Sequence, residues 1–120
     1  MFDAPRIRRV RFYKSENGKA VAREEFYDLE EEGQAALGDL FTRYEHGLER
    51  PGEVKPVVGR GLLEFRVHVR NNQYRAYFFK DGPKYVVVTH CVYKNQRKAR
   101  TSDLDLAETR MKAWRTRGGK

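Results

Sequence analysis

The chain has 120 residues and one cysteine, which fits one domain over residues 1–120 and excludes an internal disulfide. No stretch reaches the roughly 20 apolar residues of a membrane span, and the N-terminus lacks a signal-peptide core, so we expect a cytoplasmic protein. The net charge of +8 is uneven, because residues 51–120 carry a net charge of +10. A basic half of this size suits a nucleic acid, an acidic protein or an anionic membrane surface as partner, or is merely solvated.

The first part of the chain predicts a strand followed by a helical hairpin. Residues 6–13, RIRRVRFY, mix arginine with strand formers and are expected at or near a sheet edge, with a basic arm on RNA as the alternative. A helix is expected from about Ala20 to Leu29, and Gly33 is expected to break the pattern. A second helix, from about Gln34 to His46, carries one apolar stripe that can cover a sheet face.

Residues 62–79, LLEFRVHVRNNQYRAYFF, predict two strands joined by a short turn, after a loop over residues 50–61. Apolar and polar residues alternate with period two in the first strand, which indicates one apolar and one polar face. The second strand is rich in aromatic strand formers. Because asparagine tolerates positive φ, Asn71 and Asn72 are the expected turn residues.

This turn decides which side chains share a face of the hairpin. With residues 71–72 in the turn, Arg66 pairs with Tyr77 and His68 pairs with Arg75, and directly opposed residues point to the same side. Guanidinium and imidazole groups that lie together repel one another unless an anion binds among them, and phosphate is the obvious anion. The expected members of this charged face are Glu64, Arg66, His68, Arg75 and Tyr77. The opposite, apolar face is expected to contain Phe65, Val67, Tyr74, Ala76 and Phe78.

The last part of the chain predicts a buried strand and a helix. Residues 84–92, KYVVVTHCV, form a nearly continuous apolar run, which is typical of a strand buried on both faces. His90 interrupts this run, either as a satisfied core residue or as a site residue. A basic segment over residues 93–100 follows. Ser102 is the expected N-cap of an amphipathic helix, with Asp103 in its first turn.

The order of strand, two helices, three antiparallel strands and helix resembles the RelE/ParE superfamily of toxins. The phage-derived Gp49/HigB-like branch is the most similar. It pairs a strand of the pattern G-LWELRV with a YR-FY strand, followed by a strand ending in LLHGFxKKxxK. The corresponding segments here are GRGLLEFRV, QYRAYFF and VVVTHCVYKNQRK. The resemblance implies an α+β fold, in which an N-terminal strand and helical hairpin pack on a small antiparallel sheet with a C-terminal helix.

The resemblance also implies a function. RelE and HigB members are toxins of type II toxin–antitoxin pairs, and they cleave mRNA in the ribosomal A site without metal or cofactor. The implied partners are mRNA on the ribosome and a cognate antitoxin, expected to be a small helix-turn-helix protein, with no membrane partner. By position, the implied catalytic residues are Arg66, His68, Arg75, His90 and Lys94. The resemblance also implies a role for Lys98, and we expect it to bind substrate together with Glu64 and Tyr77 of the charged face and Arg97 of the basic segment.

Cleavage of RNA without metal requires a base for the ribose 2′-OH, cations for the pentavalent phosphate and a proton donor for the leaving oxygen. We therefore expect a general base (His68, helped or replaced by Glu64), phosphate ligands (Arg66 and Arg75) and a leaving-group donor (Lys94, Lys98 or His90). The alternatives are a ParE-like inhibitor that binds DNA gyrase and an inactive phage-derived binder. Neither alternative requires a base.

Overall fold

The computed structural model describes residues 5–94 and 100–119, apart from the side chain of Lys94. The elements are β1 (Arg9–Phe12), α1 (Val21–Asp28), α2 (Glu31–Glu45), β2 (Val54–Val57), β3 (Leu62–Val69), β4 (Asn72–Asp81), β5 (Tyr85–Lys94) and α3 (Thr101–Thr116). The five strands form one sheet in the order β1-β5-β4-β3-β2. The predicted α+β class is confirmed. The sheet is mixed, however, because β1 runs parallel to β5 at one edge while the other pairs are antiparallel.

Helices cover both faces of the sheet. On one face, Leu37, Leu40, Phe41 and Tyr44 of α2 pack against the apolar side of the β3–β4 hairpin. All five strand residues predicted for this side, from Phe65 to Phe78, belong to that core. On the other face, Ala107, Met111 and Trp114 of α3 pack against Tyr77, Phe79 and Val87. Each large apolar side chain buried in this way stabilises the fold by about 1.5–3 kcal/mol.

One strand was not predicted. Residues 54–57 lie within the segment expected to be a loop, yet they form β2 and pair with β3 at the sheet edge. Pro56 is compatible with this position because an edge strand leaves one side without hydrogen-bond partners in the sheet. Beyond residue 57 the chain turns and Arg60 binds α3 through Asp105 at 2.6 Å and Glu108 at 3.1 Å. The glycine-flanked arginine therefore anchors the start of β3 to the last helix.

The turn of the hairpin lies one residue earlier than predicted. Arg70 and Asn71 form it, with Arg70 at a φ of 57°, and Asn72 is the first residue of β4. Asn72 is held in the strand by long-range contacts, since it donates to Glu32 at 3.0 Å and accepts from Tyr93 at 2.9 Å. These tertiary contacts outweigh the local preference of asparagine for the turn.

Gly33 does not end a helix but lies in the first turn of α2, where it is buried. The phenol ring of Tyr74 packs directly on the position that a Cβ atom would occupy. That ring is fixed, because it is fully buried and its hydroxyl donates to Glu30 and Glu32. The glycine is therefore required by close packing of helix on sheet, not by a chain break.

Replacing Gly33 with alanine is expected to lower the free energy of unfolding by about 1–3 kcal/mol, because the methyl group would overlap the Tyr74 ring. Gly38 is the matched control in the same helix. A Cβ there would meet only Phe26, at 3.9 Å, so Gly38→Ala is expected to stabilise by up to about 1 kcal/mol through helix propensity. Chemical denaturation of both variants tests the pair. Equal effects of the two substitutions would contradict this account of Gly33.

The last helix begins at Thr101, so Ser102 lies inside its first turn and is not the N-cap. Arg100 is the capping residue and makes no side-chain capping bond. Asp103 lies in the first turn, as predicted. There it faces β5, and this contact to the sheet fixes where the helix starts.

Candidate active site on the β3–β4 hairpin

The charged face contains the residues that the sequence predicts, but β3 and β4 pair in a different register. In β3 and β4, Arg66 pairs with Arg75, Glu64 with Tyr77, and His68 with Gln73. The earlier turn shifts each pair by two residues, and a shift by two leaves every side chain on its original face. The hairpin therefore still brings the predicted residues to one side of the sheet, and Gln73 joins them.

Glu64 holds the two arginines together. Its carboxylate is buried, with Oε1 accepting from Arg66 Nη2 at 2.9 Å and from Arg66 Nε at 3.1 Å. Its Oε2 lies 3.6 Å from Arg75 Nη1. One anion between two guanidinium groups offsets part of their repulsion, which allows two arginines to oppose each other across the strands. The pair keeps a net positive charge beside this single carboxylate.

The members of the charged face differ widely in exposure. His68 is exposed and the side chain of Arg66 is partly exposed, but only 1 % of Arg75 is accessible. The charged face therefore exposes the guanidinium group of Arg66, whereas that of Arg75 is buried. Arg75 is held low on the face by Glu64 and by Gln73, whose Oε1 accepts from Arg75 Nη2 at 3.0 Å.

Tyr77 lies deeper still. It is fully buried, and its ring belongs to the core beneath α3 together with Leu62 and Met111. Burial raises the pKa of the Tyr77 hydroxyl, while the guanidinium of Arg75 acts in the opposite direction. Tyr77 therefore supports the charged face from below as a neutral phenol and is not placed to contact a substrate directly.

A bulge in β5 brings His90 to the same side of the sheet. Tyr77 pairs with His90 but Phe78 pairs with Val88, so Thr89 is the extra residue, and its hydroxyl donates to the Tyr77 carbonyl at 3.2 Å. One extra residue inverts the alternation of side chains. Without the bulge, His90 would point with Val88 into the α2 core. With it, His90 stacks near Tyr77, at 6.4 Å between ring centroids, and faces α3.

His90 is buried between two carboxylates that sequence reasoning missed. Its Nδ1 lies 2.8 Å from Glu25 of α1, and its Nε2 lies 3.0 Å from Asp103 of α3. Carboxylates accept hydrogen bonds, so each ring nitrogen that carries a hydrogen donates it to one of these two partners. Arg110 adds a further bond to Glu25 at 2.9 Å. His90 thus ties α1, β5 and α3 together, and neither ring nitrogen is free to donate a proton elsewhere.

This network affects Glu25 in a way that can be measured. Burial alone would raise the pKa of Glu25, but its hydrogen bond to His90 and the charges of His90 and Arg110 lower it below its ordinary value of 4.5. A depressed pKa in the folded state contributes stability above the unfolded value, and this contribution disappears as the pH falls through the folded value.

Glu25→Gln is therefore expected to lower the free energy of unfolding by about 1–3 kcal/mol at pH 7. The difference from the wild type should shrink as the pH falls below 4.5, where Glu25 becomes protonated in the unfolded chain and then in the folded protein. Glu24→Gln is the matched control, since Glu24 is exposed on the same helix. Urea titrations between pH 3 and pH 7 test this, and a difference that is independent of pH would contradict it.

The remaining predicted residues are Lys94, which is the last residue of β5, and Arg97 and Lys98. The backbone of Lys94 pairs with Gln73, beside His68, and its side chain is outside the described part of the chain. Arg97 and Lys98 also lie outside the described residues. Their roles stay predictions.

A cleft of about 400 Å³ opens beside the charged face, between α2, the loop before β2 and the outer side of β3. Arg66 and His68 form one wall, and Arg50 and Pro51 are part of the opposite side. Its base includes Arg43, which is bound by both oxygens of Glu53 at 2.6 and 2.8 Å. Hydrogen bonds to this carboxylate raise the pKa of Arg43 further, so its charge is permanent. The exposed histidine therefore lies at a cleft whose lining combines three arginines with the carboxylates of Asp39 and Glu53.

Within residues 5–94 and 100–119, no group of three or more histidine, cysteine, aspartate or glutamate side chains is arranged to hold a metal ion. No helix there has the length and apolar character needed to cross a bilayer.

The fold and the charged face together define a small α+β domain with arginine, histidine and glutamate on one side of a hairpin. Residues 24–112 match the family described as phage derived protein Gp49-like (DUF891), and the chain belongs to this family. Two curated relatives, each named probable endoribonuclease HigB1, come from Mycobacterium tuberculosis strains CDC 1551 / Oshkosh and ATCC 25618 / H37Rv. Each is 38% identical over 104 residues, which cover 87% of this chain and 82% of the relative. The resemblance to the Gp49/HigB-like branch of the RelE/ParE superfamily is confirmed.

Proposed function

We propose that this protein is the toxin of a type II toxin–antitoxin pair and that it cleaves mRNA as a metal-independent endoribonuclease. The observation that carries the proposal is the arrangement of Arg66, Arg75 and His68 on one face, with Glu64 between the arginines. The two relatives named probable endoribonuclease HigB1 support the same activity. Ribosomal RNA and the mRNA backbone would be held mainly by charge, in keeping with a net charge of +8.

The proposed reaction uses the ribose as nucleophile. His68 accepts the proton of the 2′-OH, the 2′-oxygen bonds to phosphorus, and the bond from phosphorus to the 5′-oxygen breaks. The products are a 2′,3′-cyclic phosphate and a 5′-hydroxyl, whose proton comes from a general acid. Arg66 and Arg75 stabilise the extra negative charge of the pentavalent phosphate. The partly exposed guanidinium of Arg66 binds phosphate oxygens, and the buried Arg75 acts through its charge from below the surface.

The general acid is proposed to be Lys94 or Lys98. His90 suits this role poorly, because its two nitrogens are engaged by Glu25 and Asp103. We propose instead that His90 orients α3 beside the charged face. Glu64 is engaged by both arginines, so its proposed role is to place them and not to accept the proton.

The proposed partners are mRNA on a translating ribosome and a small helix-turn-helix antitoxin with an acidic segment. An acidic segment would neutralise the toxin by covering the charged face and competing with RNA phosphate. The experiment is expression of the protein in cells, with separate labels for new protein and new DNA. Loss of protein synthesis first is the expected result. Loss of DNA synthesis first would indicate a gyrase inhibitor, and loss of neither would indicate an inactive binder.

A further inference from the structure

Gln73 lies between the two residues to which the proposed reaction assigns the largest roles. Its Oε1 accepts a hydrogen bond from Arg75 Nη2 at 3.0 Å, and its Nε2 lies 2.8 Å from His68 Nε2. A guanidinium group has only donors, so the amide atom that faces Arg75 must be the oxygen. The amide NH₂ group must therefore face His68.

The same reasoning fixes the state of the histidine ring. An amide NH₂ group only donates, so the His68 Nε2 atom must accept and cannot carry a hydrogen. A neutral imidazole with an unprotonated Nε2 has its hydrogen on Nδ1. We propose that Gln73 is a positioning residue that holds His68 as the neutral Nδ1–H tautomer, with the Nε2 lone pair directed along the charged face.

The fold holds the side-chain amide of Gln73 in this orientation. Arg75 is almost completely buried and also contacts Glu64, so the donor to the Gln73 amide oxygen is held in place. His68 and Gln73 are directly opposed across β3 and β4, which sets the short distance between their side chains. An exposed histidine without such a partner would exchange between its two neutral tautomers. The buried arginine thus determines, through one amide, which nitrogen of an exposed ring is basic.

The chemical meaning of this tautomer rests on the proposed function. A general base requires an unprotonated nitrogen, and the Gln73 amide makes Nε2 that nitrogen. In the free protein the amide N–H group donates to His68 Nε2, and in the reaction the ribose 2′-OH takes its place as the donor.

The tautomer can be read directly by ¹⁵N NMR of the histidine side chains, without RNA. The chain has three histidines, His46, His68 and His90, so His46→Ala and His68→Ala variants assign the signals. For His68 we expect a protonated Nδ1 and an unprotonated Nε2 at neutral pH. A protonated Nε2, or fast exchange between both tautomers, would overturn the inference.

Gln73→Glu tests the cause, because a carboxylate accepts from both Arg75 and His68. In this variant we expect the His68 Nε2 signal to become that of a protonated nitrogen, while the His90 signals stay unchanged and report an intact fold. RNA cleavage is expected to fall about 10-fold or more, because a protonated Nε2 cannot accept the proton of the 2′-OH. An unchanged His68 spectrum in this variant would overturn the inference.

Failure of this inference and failure of the proposed function are distinguishable. The NMR spectra depend only on His68, Gln73 and Arg75, so they decide the tautomer whether or not the wild-type protein cleaves RNA. Absence of cleavage by the wild type, with the expected spectra, would overturn the proposed function and leave the tautomer in place. Cleavage by the wild type together with a protonated Nε2 would overturn the tautomer and leave the proposed function in place.

Discussion

Arg75→Ala is expected to slow RNA cleavage by about 10²–10³-fold, which corresponds to the loss of one donor that stabilises transition-state charge. The buried position of Arg75 supports a large effect, because a guanidinium group in a site shielded from water interacts more strongly with a phosphate than an exposed one. Arg75→Lys keeps the charge but loses the fork and is expected to recover only part of the rate. The measurement is the single-turnover cleavage rate of purified variants on a defined mRNA.

The control for this prediction is Arg115→Ala. Arg115 is an exposed arginine in the last turn of α3, so its removal changes the net charge by the same amount away from the charged face. Circular dichroism must show that each variant is folded, since the substitution of Arg75 also removes a partner of Glu64. Full activity of a folded Arg75→Ala variant would contradict the assignment of the phosphate site.

His68→Ala is the second substitution with a large expected effect, a loss of about 10²–10⁴-fold, as is typical when a general base is removed. The side chain is exposed, so stability should change little. Its matched control is His46→Ala. His46 lies at the C-terminal end of α2, and it is the N-terminal end of this helix that lies beside the hairpin turn, through the contact of Glu32 with Asn72. We expect the control to retain full activity in the same assay. An equal, small effect of both substitutions would remove His68 from the mechanism.

The faces of the hairpin could be predicted from sequence because side-chain direction in a strand depends only on parity. The error of one residue in the turn shifted every pair by two, which left Arg66, His68 and Arg75 on the correct side. It did hide Gln73, since the predicted register set Arg75 opposite His68. The turn itself was not predictable locally, because Glu32 and Tyr93 hold Asn72 in the strand from distant parts of the chain.

The burial of Arg75 and Tyr77 within the charged face could not be predicted from the sequence either. The pattern of β4 places Arg75 and Tyr77 with the polar residues, and nothing local indicates that both are buried. The role of His90 depends on a bulge at Thr89 and on Glu25 and Asp103, which come from two helices distant in sequence. Gly33 shows the converse case, in which a residue that usually interrupts helices serves the packing of α2 on Tyr74.

The chemistry of the RNA ends tests the central claim most directly. The wild-type protein is incubated with a translated mRNA in the presence of a metal chelator, and cleavage is followed at one mapped site. A second mRNA is identical except for a single 2′-deoxynucleotide at that site. We predict fragments with a 2′,3′-cyclic phosphate and a 5′-hydroxyl from the first mRNA and no cut at that site in the second. Fragments with a 3′-hydroxyl and a 5′-phosphate, or equal cutting of both mRNAs, would contradict an attack by the ribose hydroxyl on the charged face.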